Sequence, residues 1–163
     1  MSRRTKSKAV SHQNEIRDLL RHVFCPPFEN DDIVSRPMGN PGSDIILSPA
    51  ILQAFPFYIE CKRHEDKTWN ASYKKAFEQT FCNDYPLLIR RKSRSDNHFF
   101  AKTTDVLEIH PRLLVNEKIE THTSLKSFLT HNSFYISLYE DYVHFNTKKF
   151  MEILSCLRIS YFQ

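Results

Sequence analysis

Only two glycines occur in 163 residues. Both, Gly39 and Gly42, fall in the segment Met38-Gly39-Asn40-Pro41-Gly42-Ser43. Glycine alone takes positive φ without strain, so the chain has few places for sharp turns and gathers them into one segment. The four cysteines, Cys25, Cys61, Cys82 and Cys156, are widely spaced and include no C-x-x-C pair. That argues against a zinc site or a disulfide framework and fits a reducing, cytoplasmic setting. No apolar run is long enough to span a bilayer, and the basic start of the chain lacks the apolar segment of a secretion signal. Internal repeats and low-complexity tracts are absent as well. With 40% hydrophobic and 13% aromatic residues, the chain is no disordered polymer, and its length suits a single core.

Charge is uneven along the chain. The formal net charge of +4 equals the four bases near the start, Arg3, Arg4, Lys6 and Lys8, which meet no acid there. The remaining nineteen bases balance nineteen acids. The first ten residues therefore read as a basic flexible arm that can contact phosphates by releasing counterions. Residues 11–163 read as one domain. Two more basic clusters follow strand candidates: Lys62-Arg63-His64, and Arg90-Arg91-Lys92-Ser93-Arg94 after the apolar residues 86–89. Clusters at strand ends suggest a phosphate-binding rim.

Helical spacing starts at Ser11, an N-cap residue type, and carries Ile16, Leu19, Leu20, Val23 and Phe24 on one stripe until Pro26 and Pro27 stop it. Glu15 borders that stripe. Residues 44–47 and the apolar run 55–59 read as strands, the second ending in Glu60-Cys61-Lys62. Alternation puts Tyr58, Glu60 and Lys62 on one face and Phe57, Ile59 and Cys61 on the other. If the two strands pair, the carboxylates of Asp44 and Glu60 can share one divalent cation, with the Lys62 amine beside them. Mg²⁺ takes oxygen ligands and needs only one or two carboxylates when a phosphate and waters complete its shell. An adjacent ammonium can orient the attacking water and offset transition-state charge.

The order of these residues, an acid in the first helix (Glu15), a turn ending in Asp (PGSD, Asp44), then E-C-K (Glu60, Lys62), resembles the PD-(D/E)xK nuclease superfamily. The likeness is greatest to its Holliday-junction-resolvase-like and phage-encoded endonucleases, and it spans about residues 11–94. Ser43 stands where the family name places proline. The resemblance implies an α/β, restriction-endonuclease-like core in the order αβββαβ, a small mixed sheet flanked by helices. Residues 95–163 would then be a strand and helix extension. It further implies Glu15, Asp44 and Glu60 as ligands of Mg²⁺ or Mn²⁺, with Asp44, Glu60 and Lys62 catalytic. The implied function is a Mg²⁺-dependent endonuclease of DNA, branched junctions included, with a role in recombination or repair. A sequence-specific restriction or repair nuclease, or a non-catalytic nucleic-acid-binding module of the same fold, are the alternatives. A junction resolvase cuts two symmetric strands and so is expected to be a homodimer.

A helix is expected over residues 71–82, capped by Asn70. In similar nucleases the helix after E-x-K offers polar residues to the active site or the DNA, which makes Lys75 and Gln79 candidates. With Arg3, Arg4, Lys6, Lys8, Arg63, Arg91, Lys92 and Arg94 they form the expected DNA-contacting set. Farther on, residues 99–109 and 133–145 read as strands, and Asn146 as the cap of a last helix with Phe145 and Phe150 as its staple. Glu108 with His110, and Glu120 with His122, read as surface pairs, since no third ligand accompanies either.

Overall fold

In a computed structural model, residues 3–63, 85–91, 95–102, 104–105, 137–139 and 142–161 are described. Helix α1 runs Arg3–Phe24, followed by a short 3-10 turn, Asn30–Asp32. Then come β1 (Ile33–Ser35), β2 (Ile45–Leu47), α2 (Pro49–Ala54), β3 (Phe57–Arg63), β4 (Tyr85–Arg91), β5 (Asn97–Lys102), β6 (Ser137–Tyr139), β7 (Tyr142–Asn146) and α3 (Thr147–Tyr161). The seven strands make one sheet in the order β1-β2-β3-β4-β5-β7-β6. Among the described strands, only β3 and β4 pair parallel; the other neighbours are antiparallel. The chain is thus an α/β protein with a mixed sheet and helices packed on it.

A parallel pair cannot be closed by a tight turn and needs a crossover of a dozen or more residues. The helix expected over residues 71–82 falls in that connection and lies outside the described residues. So do Asn70, Lys75, Gln79, Lys92, Arg94, Glu108, His110, Glu120 and His122.

The α1 stripe packs as its spacing predicts. Ile16, Leu20, Val23 and Phe24 are buried against Ile33, Ile45, Ile59, Leu87, Ile89 and Phe99 of the sheet. From the other end of the chain, α3 adds Phe150 and Leu154 to the same core, and the Phe150 ring stacks on Phe99 with centroids 3.9 Å apart. Each such side chain contributes about 1.5–3 kcal/mol on burial. Asn146 caps α3 as expected: its Oδ1 accepts the N–H of Lys149 at 2.9 Å. On the opposite face of the sheet, Leu88, Arg90 and Phe100 are also buried.

Several boundaries differ from the sequence reading. Helix α1 begins at Arg3, ahead of Ser11, so the segment expected as a flexible arm is helical from Arg3 onward. Ser48 and Pro49 start a short helix, with the Ser48 hydroxyl accepting the Ile51 N–H, and this moves Phe55 out of the strand and into the core between α2 and β3. Strand β3 consequently starts at Phe57 and runs through the whole E-C-K triplet to Arg63. Strand β4 likewise extends through Arg90 and Arg91, so these bases lie within the strand and not after it. Arg90, 2% exposed, belongs to no rim. Among the described residues, no helix is long and apolar enough to cross a membrane.

Candidate active site

The site forms where β2 and β3 part. Their pairing is registered at Ile45 and Ile59, and beyond that point the chain before β2 turns away. The edge of β3 is then met by side chains in place of a strand. Ser43 holds the fork: its hydroxyl accepts the Ile59 N–H at 3.0 Å and turns its own hydrogen toward the carbonyls of Ile45 and Ile59. A proline there has no hydroxyl to do this. Next to it the Asp44 N–H donates to Ile59 O at 2.8 Å, and the Asp44 carboxylate accepts the Cys61 N–H at 2.7 Å.

The loop behind Asp44 is tied on several sides. Arg36 N–H donates to Asp44 O at 2.9 Å, and Arg36 Nε donates to Ser43 O at 2.7 Å. Gln13, buried on α1, donates from its amide to Arg36 O at 2.9 Å and to Asp44 O. Gly42 sits at φ 112°, and a Cβ there would stand 2.9 Å from Arg36 Nη2. The positive φ calls for glycine, and a side chain there would also displace the Arg36 guanidinium.

Cys61 points into the core, and its neighbours Glu60 and Lys62 project to the other face, where they form an ion pair. Asp44 is thereby placed beside both. Its carboxyl is pushed up to about 6, first by burial and then by the charge of Glu60, against the opposing pull of the Cys61 N–H, Lys62 and Arg36. Two carboxylates crowded so that one resists ionisation make a place that favours a cation. The Cys61 thiol is pushed well above its ordinary range by burial and by the same two acids, so it is packing and no nucleophile.

Glu15 goes elsewhere. It pairs with Arg91 and accepts the Asn97 amide at 3.1 Å, on the face of the sheet that α1 covers. The expected trio of Glu15, Asp44 and Glu60 is therefore not assembled, because the row formed by Arg91 and Asn97 captures the first acid. Among the described residues, no group of three or more His, Cys, Asp or Glu side chains is arranged to hold a metal ion. Asp44 and Glu60, close enough for the charge of one to act on the other, offer hard oxygens of the kind that suit Mg²⁺ with water and phosphate as further ligands.

Of the expected DNA-contacting bases, Lys6 and Lys8 lie on the first turns of α1, after Arg3 and Arg4 at its start. Arg63 and Arg91 end β3 and β4 side by side. Sequence reasoning missed Gln13, His12 and Asn97. The signal was present for the first two: both continue the buried stripe of Ile16 and Leu20 toward the helix start, and a polar residue at an apolar position needs a partner. His98 and His144 form another polar pair, 2.8 Å apart across β5 and β7, with burial and its neighbour holding His144 down at about 4. Among known proteins, no family model, no curated protein and no solved structure matches this chain.

Proposed function

We propose that the chain is a metal-dependent endodeoxyribonuclease, hydrolysing phosphodiester bonds with Mg²⁺ or, in its place, Mn²⁺. The observation that carries this reading is the Asp44 carboxylate, fastened to the Cys61 N–H between Glu60 and Lys62 with its own ionisation raised to about 6. Asp44 and Glu60 are the two residues that would hold the ion. When bound, a divalent ion supplies Lewis acidity and a water of lowered pKa. The Cys61 N–H fixes one Asp44 oxygen, Ser43 keeps the strand fork open, and the Lys62 ammonium orients the attacking water and offsets charge on the phosphate. In support, the strand that carries E-C-K lies parallel to β4 in a mixed sheet, as a restriction-endonuclease-like core would require.

DNA is the proposed substrate, with branched junctions foremost. On that reading the chain works as a two-fold dimer, since a junction presents two symmetric strands. A cleavage panel of four-way junction, flap, linear duplex and single strand in Mg²⁺ tests it. Junction cutting that stops on chelation and in Lys62→Ala is the expected result. A preference for linear duplex would replace the resolvase with a restriction or repair nuclease, and undiminished cutting by Lys62→Ala would remove the site altogether. The capture of Glu15 by Arg91 favours a second reading, a nucleic-acid-binding module of the same fold without catalysis. Its signature is DNA binding with no cleavage of any substrate in either metal.

A further inference from the structure

Among the described residues, three buried nitrogens at one corner of the sheet have no hydrogen-bond partner: Nδ1 of His12, Nε of Arg63 and Nε of Arg91. Register gathers them. Arg63 stands beside Arg91 across β3 and β4, and Arg91 stands opposite Asn97 across β4 and β5. The three side chains form a row on the face that α1 covers. His12 and Glu15, one turn apart on α1, lie over this row, and the His12 ring senses the charges of Glu15, Arg91 and Arg63. His12 is 1% exposed.

The hydrogen bonds determine which ring nitrogen is protonated. The Asn97 amide donates from Nδ2 to Glu15 Oε1 at 3.1 Å, so its Oδ1 is an acceptor. That oxygen lies 3.0 Å from His12 Nε2, which must therefore carry the hydrogen. Burial lowers the basicity of the ring and keeps it neutral, so Nδ1 presents a lone pair. The corner thus offers two cationic N–H donors and one buried acceptor. Glu15 offsets one of the two guanidinium charges, leaving an excess of one.

A ligand that completes this set must accept from both arginines and donate to an imidazole. A phosphate bearing one proton does both: its bare oxygens accept the Nε–H groups as charge-assisted bonds, and its P–OH donates to Nδ1. A phosphomonoester, whose second ionisation lies at about pH 6, can take up one proton and bind in that form. A phosphodiester has no P–OH, and sulfate takes up no proton at neutral pH. Either would leave the lone pair facing an anion. We propose that His12, Arg63 and Arg91 form a binding site for a phosphomonoester group, selected over diesters and sulfate by the hydrogen that His12 Nδ1 accepts. The group is either the terminal phosphate of a nucleic-acid strand or free phosphate. The site lies on the sheet face opposite Glu60 and Lys62 and uses neither, so its test is separate from that of cleavage, although Arg63 and Arg91 also belong to the expected DNA-contacting set.

Calorimetric titration of the full chain at pH 7 with inorganic phosphate and with sulfate tests the site. Phosphate is expected to bind at least tenfold more tightly than sulfate. Arg63→Gln is expected to weaken phosphate binding tenfold or more, and His12→Phe to abolish the preference for phosphate. Because His12 is packed in the core, the wild-type protein supplies a second readout: the ¹⁵N shift of His12 Nδ1 moves on addition of phosphate and not of sulfate. Competition by one oligonucleotide carrying a 5′-phosphate, a 3′-phosphate or neither separates the sources. Competition only by a phosphorylated strand assigns the site to nucleic-acid ends, and competition by none of the three assigns it to free phosphate. Equal binding of phosphate and sulfate, no binding of phosphate, binding untouched by Arg63→Gln, or equal competition by the unphosphorylated strand would each overturn the proposal.

Discussion

Asp44 and Glu15 are acids on neighbouring elements, and the fold surrounds them differently. Glu15 has a guanidinium and an amide to itself, Arg91 and Asn97. Asp44 has one backbone N–H and the weaker pulls of Lys62 and Arg36, set against a larger burial cost and a second carboxylate nearby. A counter-charge satisfies a carboxylate, and Glu60, paired with Lys62, is set apart from Glu15 only by the second acid beside it. An acid held against its own ionisation is not satisfied, because removing it would relieve the protein. The contrast separates an acid satisfied by its own partners from an acid whose ionisation is disfavoured, although the sequence presents both as candidate ligands.

The largest expected effect is on cleavage. Asp44→Ala or Lys62→Ala should lower Mg²⁺-dependent cutting about 10²–10⁴-fold while DNA binding stays within a few fold. Glu15→Gln should lower it less than about tenfold if the acid only braces α1, a limit set below the usual catalytic range. Gel assays under single-turnover conditions separate the two, and equal losses at Asp44 and Glu15 would erase the contrast.

Next comes stability. The folded pKa of Asp44 lies near 6, above the ordinary carboxylate value. The penalty for ionising it is therefore absent below about pH 4, grows between pH 4 and 6 and is complete above that. In metal-free buffer at pH 7, Asp44→Asn should raise stability by about 1–2 kcal/mol, and at pH 3.5 it should change little. Urea melts at the two pH values read this directly; a destabilised variant at pH 7 would mean that Asp44 is structural. Gly42→Ala should cost about 1 kcal/mol or more, from positive φ and the approach to Arg36, and should loosen the loop that holds Asp44. Unchanged melting of this variant would show that the loop gives way freely. The smallest change is Glu15→Gln, about 0.5–1 kcal/mol, since the ion pair with Arg91 is partly open to solvent.

Much of the site was legible because it rests on short-range periods. Alternation along β3 put Glu60 and Lys62 on one face and Cys61 on the other, and the α1 stripe buried Ile16, Leu20, Val23 and Phe24 as its spacing required. Strand β1, Ile33–Ser35, was not legible, because three residues display no period and the segment lacks the Pro-Gly turn that marks the equally short β2. The fate of Glu15 was hidden for another reason. Its partners Arg91 and Asn97 lie 76 and 82 positions along the chain, and which strand a helix border faces depends on the order of strands in the sheet, which no local pattern encodes. The start of α1 escaped because its first turns are basic and carry little apolar spacing, whereas Ser11 resembles a cap.

Titration of the purified chain with Mn²⁺ by calorimetry at pH 7, beside Asp44→Asn and Glu60→Gln, reads the shared-cation claim most directly. Binding by the wild type that weakens tenfold or more in each variant, with Glu15→Gln left close to wild type, is the result expected. A wild type that binds no Mn²⁺, or variants that bind it as well as the wild type does, would contradict the assignment of Asp44 and Glu60 to one ion.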